Sequence, residues 1–169
     1  LIGPSQALAK PGEGVRVHII SGAGKGARLM YELQQSGFIV TAGPLGSGDS
    51  DRIAADLLGI EYIPLPPFSP INDYAQSKHM EMISSAEVSV LCDMPVGINN
   101  VRSLEAIASS RRIAILEPDD FQQRDYTGGM GEVLYDALDK GVKFTNLEDI
   151  MIHIVDLAQA IGAGRNNNE

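Results

Sequence analysis

The sequence predicts an α/β domain wound on a parallel sheet of about six strands with helices on both faces, a Rossmann-like arrangement. Three observations predict it. Short apolar runs recur along the chain, amphipathic helical segments separate them, and glycine-rich turns stand where a strand gives way to a helix. Strict alternation of strand and helix requires right-handed crossovers, and therefore parallel strands covered on both sides. A doubly wound order such as 3-2-1-4-5-6 satisfies these constraints.

Residues 1–14, LIGPSQALAKPGEG, carry two prolines and three glycines without periodicity and read as a linker. The domain is assigned to 15–162 and a disordered tail to 163–169. The strands are VRVHII (15–20), FIVTA (38–42), IEYIP (60–64), EVSVLC (87–92), RIAIL (112–116) and a short VKF (142–144). Leu29, Met30 and Leu33 share one helical face, as do Ile53, Ala54, Leu57 and Leu58, and then Ala75, Met82, Ile83 and Ala86. A last helix over roughly 147–161 places Leu147, Ile150, Met151, Ile154, Ala158 and Ile161 on one side. Asp49, Ser50 and Asn72 stand where helix starts need caps, and Gly37, Gly59 and Gly141 where helix ends do.

Composition narrows the function. A formal net charge of −9 disfavours nucleic acid and anionic lipid as partners. No apolar run approaches the ~20 residues that span a bilayer and no signal peptide opens the chain, so a cytoplasmic location is expected. Leu1 in place of a starting methionine suggests a piece of a longer polypeptide. The lone Cys92 reads as a buried thiol near a strand end. His18, His79 and His153 lack metal-ligand spacing and read as structural, so no metal site is assigned. No G-x-S-x-G elbow is present, and no pair of acids is spaced to identify a general acid and base.

Four glycine-bearing segments are candidates for the site. SGAGKGAR (21–28) opens the first helix, where Gly22, Gly24 and Gly26 would let backbone amides approach a phosphate and Lys25 or Arg28 would add charge. It is neither a Walker loop nor G-x-G-x-x-G, and a tight βα turn would use the same glycines for steric reasons alone. TAGPLGSGDSD (41–51) offers Gly43, Gly46 and Gly48 as a second amide-rich loop, or as a long connection with caps. DMPVGINNVRSLE (93–105) follows the fourth strand at the expected switch point, with Pro95 and Gly97 shaping the turn, Asn99 and Asn100 offering amides, and Arg102 suited to phosphate or carboxylate. The cluster YTGGMGE (126–132) is explained equally well by capping.

From Val15 to about Lys143 the order of motifs resembles the SLOG superfamily of nucleotide-binding domains, which includes the Lonely Guy phosphoribohydrolases and the DNA-processing Smf proteins. The matching segments are GAGKGARL, TAGPLGSGDSDRIAADL, DYAQSKHMEMISSAEVSVLCDMPVGINN and RRIAILE. Where the hydrolases carry an Arg-Lys pair this chain has Ser77-Lys78, and Arg102 stands at the position of the catalytic glutamate, with Glu105 one turn further on. The resemblance implies a retained nucleotide-like pocket, with Lys78 among its ligand-binding residues, and no catalytic residues.

The segments RVHIISGAG, AGPLGSGDSD, PPFSPI and DYTGG also resemble a domain fused behind the ATPase of ABC importers for cobalamin and iron-siderophore complexes. That resemblance implies an accessory or regulatory domain binding a nucleotide or other phosphorylated small molecule. Its partner would be an ATP-hydrolysing cassette in the same polypeptide, held at the inner face of the membrane by a transporter complex without inserting itself. An enzyme acting on nucleoside phosphates, and a module that dimerises the transporter ATPase, are the competing readings.

Overall fold

The computed structural model describes residues 10–21, 25–46, 48–65, 73–92, 112–116 and 141–167. In chain order they form β1 (Arg16–Ser21), α1 (Lys25–Gln35), β2 (Ile39–Gly46), α2 (Ser50–Leu58), β3 (Glu61–Leu65), α3 (Asp73–Ser85), β4 (Val88–Cys92), β5 (Ile113–Leu116), β6 (Val142–Phe144) and α4 (Leu147–Asn167). The strands make one six-stranded sheet in the order β3-β2-β1-β4-β5-β6. Every neighbouring pair is parallel, so the doubly wound prediction holds.

Alternation along each strand sorts the core into two layers. Val17 and Ile19 of β1 stand level with Val40 and Ala42 of β2 and with Val88 and Val90 of β4. These pack in one cluster with Leu29, Met30 and Leu33 of α1 and Ile150, Ile154 and Ala158 of α4. His18 and Ile20 point the other way, into the layer that α3 covers with the buried Met82 and Ile83. Burying a Leu, Ile or Met side chain is worth about 1.5–3 kcal/mol, which is why short helices with one apolar face hold to this sheet.

The helices end as their glycines predict. At Gly37, with φ +90°, the amide of Gly37 donates to Gln34 and that of Phe38 to Leu33. At Gly59 the same pair of bonds runs to Asp56 and Ala55. Both closures require a left-handed residue after the helix, and glycine supplies it without a Cβ clash. Cys92 is buried at the end of β4. Asn72 and the helix expected before Gly141 lie outside the described residues.

Three elements differ from expectation. The open loop expected from Thr41 is instead strand as far as Gly46, because Leu45 and Gly46 pair with Pro64 and Leu65 of β3. The apolar face expected on α2 is also corrected: Ile53 is 55% and Leu57 82% exposed, whereas Asp51 and Ala55 are buried. Residues 51, 55 and 58 lie four and three apart, so the inward stripe begins with a carboxylate and continues through a small Ala55 that lets α2 lie close against α1. Finally, α4 continues to Asn167 rather than ending near 161. Glycine lowers helix propensity by about 1 kcal/mol without removing a hydrogen bond, so Gly162 weakens the helix but does not stop it.

Candidate functional site

Because all six strands run in one direction, their carboxyl ends share one edge. β1 leads to β2 on one side of itself, while β4, its neighbour on the other side, leads away to β5. Doubly wound sheets bind ligands at such a reversal, in the crevice beyond the strand ends. Ser21, the last residue of β1, stands level with Cys92, the last of β4, and α1 starts four residues after Ser21.

The candidate residues divide around this point. Lys25 and Gly26 form the first turn of α1, and Gly26 is buried there. Gly43 and Gly46 lie in β2, and Gly48 is exposed just before α2 with φ +87°. Lys78 is on α3, with its Nζ 3.5 Å from Glu61 Oε1 and 3.7 Å from Glu81 Oε1. Glu61 is the first residue of β3, so these two contacts hold the ammonium near the amino end of that strand. Gly22, Gly24, Pro95, Gly97, Asn99, Asn100 and Arg102 lie outside the described residues.

Two polar groups that the motif analysis does not assign organise the β2 side of the edge. One is Asp51, in the first turn of α2 and only 2% exposed. Its Oδ1 accepts from the Ala27 amide of α1 at 3.2 Å. Ala27 is the third residue of α1, and the first amides of a helix have no partner within it. The carboxylate therefore sits at the positive end of α1 as well as in the first turn of its own helix, where both peptide dipoles favour it. Arg52 beside it turns outward, donating from Nε to Tyr62 Oη at 3.2 Å with its guanidinium over the Tyr62 ring.

The other group is His18, fully buried in the centre of the sheet. It stands in one register row with Glu61, Thr41 and Ser89 across β3, β2, β1 and β4. Its Nδ1 lies 2.8 Å from Thr41 Oγ1 and its Nε2 3.1 Å from the Gly43 carbonyl oxygen. A carbonyl only accepts, so Nε2 carries a hydrogen, and in the neutral ring Nδ1 takes the hydroxyl hydrogen of Thr41. The Gly43 carbonyl is available because β2 bulges there: the pairing with β3 shifts by one residue between Ala42 and Leu45. His18 thus fixes the bend through which β2 enters the edge. The signals for these roles are an acid in the first turn of a helix and a histidine inside an apolar strand.

Among the described residues no three His, Cys, Asp or Glu side chains are grouped to hold a metal ion, and no helix is long and apolar enough to cross a membrane.

A model of the MJ0874 family matches residues 40–151, more than half of the 169-residue chain. No curated protein matches it. Among solved structures, the crystal structure of BdcA in complex with NADPH is similar, with 13% sequence identity and a TM-score of 0.45, over 76% of this chain and 61% of that one. The chain thus spans about three fifths of the length of that structure.

Proposed function

The chain belongs to the MJ0874 family, and on that premise we propose that it is a ligand-binding domain that takes a nucleotide or other phosphorylated small molecule at the carboxyl edge of its sheet. The observation that carries this is the strand order β3-β2-β1-β4-β5-β6, which reverses at the ends of β1 and β4, the point where doubly wound sheets bind their ligands. The turn from Gly22 through Gly24 and Lys25 to Gly26 is assigned to the β1 side, and Pro95, Gly97, Asn99, Asn100 and Arg102 to the β4 side. Peptide amides, carboxamides and a guanidinium are the donors that phosphate oxygens accept from. The resemblance to the tails of importer ATPases supports an accessory or regulatory role within a larger polypeptide for cobalamin or iron-complex uptake.

Isothermal titration against nucleoside mono-, di- and triphosphates, dinucleotides and corrinoids tests this. Saturable binding of one class is expected, and Arg102→Ala should weaken it about tenfold or more, as loss of a charge-assisted pair does. A panel in which nothing binds refutes the assignment.

A further inference from the structure

We propose that the outer face of α1 and α2 binds a second copy of this chain, in a two-fold arrangement that sets α1 of each protomer antiparallel against α2 of the other. The inference concerns the side of these helices turned away from the sheet and stands apart from the ligand reading.

The two helices lie side by side and run the same way. Near their starts the Ala27 amide reaches the Asp51 carboxylate, and near their ends Gln34 Nε2 reaches the Leu58 carbonyl oxygen. Both bonds join residues 24 positions apart, so each residue of α1 is level with the residue of α2 numbered 24 higher. Leu29, Met30 and Leu33 turn inward from α1, and Asp51 and Ala55 from α2. What faces out is Arg28, Tyr31 and Gln35 on the first helix, and Ile53, Asp56 and Leu57 on the second, with Asp49 at its start.

These rows match when one is read backwards. Arg28, Tyr31 and Gln35 are spaced three and four apart, and so are Asp56, Ile53 and Asp49. A two-fold axis through the groove between the helices, level with Met30 and Ala54, therefore sets Arg28 against the partner's Asp56, Tyr31 against the partner's Ile53 and Gln35 against the partner's Asp49. Each pair occurs twice. Guanidinium meets carboxylate, ring meets aliphatic chain, and a carboxamide meets an acceptor. Leu57, beside Asp56, covers the methylene stem of the partner's Arg28. The small Ala54, at the level of the axis, lets the helices approach. A second copy is the occupant because this one patch carries both halves of every pair, which is what a self-complementary interface requires. The helices are about 15 Å long and about 10 Å apart, so the contact falls below the roughly 1,200 Å² of a stable interface. Repulsion between two chains of net charge −9 acts in the same direction. The dimer is thus weak, with a dissociation constant of order 0.1 mM.

Sedimentation equilibrium of the whole chain from about 10 µM to about 1 mM, at low salt, tests this. The mean mass of the wild type should climb from monomer toward dimer over that range. R28E alone and D56R alone each set like charges together twice and should weaken association at least about fivefold. D56R should do so although it brings the net charge nearer zero, which by itself would favour association. An equal mixture of R28E with D56R forms a mixed dimer with one original pair and one reversed pair, and association should return to wild-type strength. Both positions are exposed, so each variant keeps the fold. A wild type that stays monomeric throughout, a D56R chain that associates as strongly as the wild type, or a mixture as weak as its components overturns the proposal.

Discussion

Gly43→Ala should be among the more damaging single-methyl changes in the sheet, and its cost can be worked from the backbone. Gly43 has φ +117°, a region that residues with a Cβ rarely enter, and forcing one there costs of order 1–3 kcal/mol. A Cβ built at this position would lie 2.9 Å from the amide nitrogen of Ile63 and 3.1 Å from its carbonyl oxygen. Both are main-chain atoms of the neighbouring strand, so no rotamer change relieves the overlap. Either β3 moves away from β2, or the bulge straightens and the Gly43 carbonyl leaves His18. The expected loss is about 2–4 kcal/mol, a large part of the 5–15 kcal/mol that holds a typical domain together. In thermal melts this corresponds to a fall of roughly 4–16 °C for a chain of this size. Urea unfolding followed by far-ultraviolet circular dichroism measures it directly. A loss below about 1 kcal/mol with an unchanged m-value would show that the bulge tolerates a side chain and that the strain has been misjudged.

Gly141→Ala offers a contrast, because the added methyl would meet Ile115 Cδ1 at 2.6 Å and Ile113 Cγ2 at 3.1 Å. Those are ends of side chains that can turn aside, so the same denaturation assay should show a smaller loss than at Gly43, about 1–2 kcal/mol. His18→Phe keeps a ring in the sheet but leaves the Thr41 hydroxyl and Gly43 carbonyl without it, and should cost about 2–4 kcal/mol in urea unfolding. Leu57→Glu, on the outer side of α2, should change stability by no more than about 0.5 kcal/mol and raise solubility, measured by the same melts and by light scattering.

Parts of this fold that depend on near neighbours in the chain are legible in the sequence. The runs at 17–20, 88–92 and 113–116 are buried on both sides because helices cover both faces, and with only His18 and Ser89 interrupting them they announce buried parallel strands. Gly37 and Gly59 end helices by local geometry and are equally plain. The end of β2 is not. Gly43, Pro44 and Gly46 read as a loop on propensity, and only pairing with β3 and the bond to His18, 25 positions away, hold them in a strand. On α2, Ile53 and Leu57 mimic a core stripe, while the stripe that does face inward starts with Asp51, whose charge hides it from any hydrophobic pattern. That Asp51 reaches Ala27 depends on how two helices meet across 24 positions of sequence, which periodicity does not encode.

The two margins of the sheet are finished differently, with one outcome. On the far side of β2 lies β3, where Pro64 has no amide hydrogen to offer and Glu61 is exposed. At the opposite margin β6 has three residues, and its central Lys143 is exposed. Proline, charge and brevity are how natural sheets refuse an incoming strand. Concentrated solutions of the folded domain should therefore resist fibril-like growth through these margins, and any self-association should proceed through helix surfaces, leaving the backbone ladder as it stands.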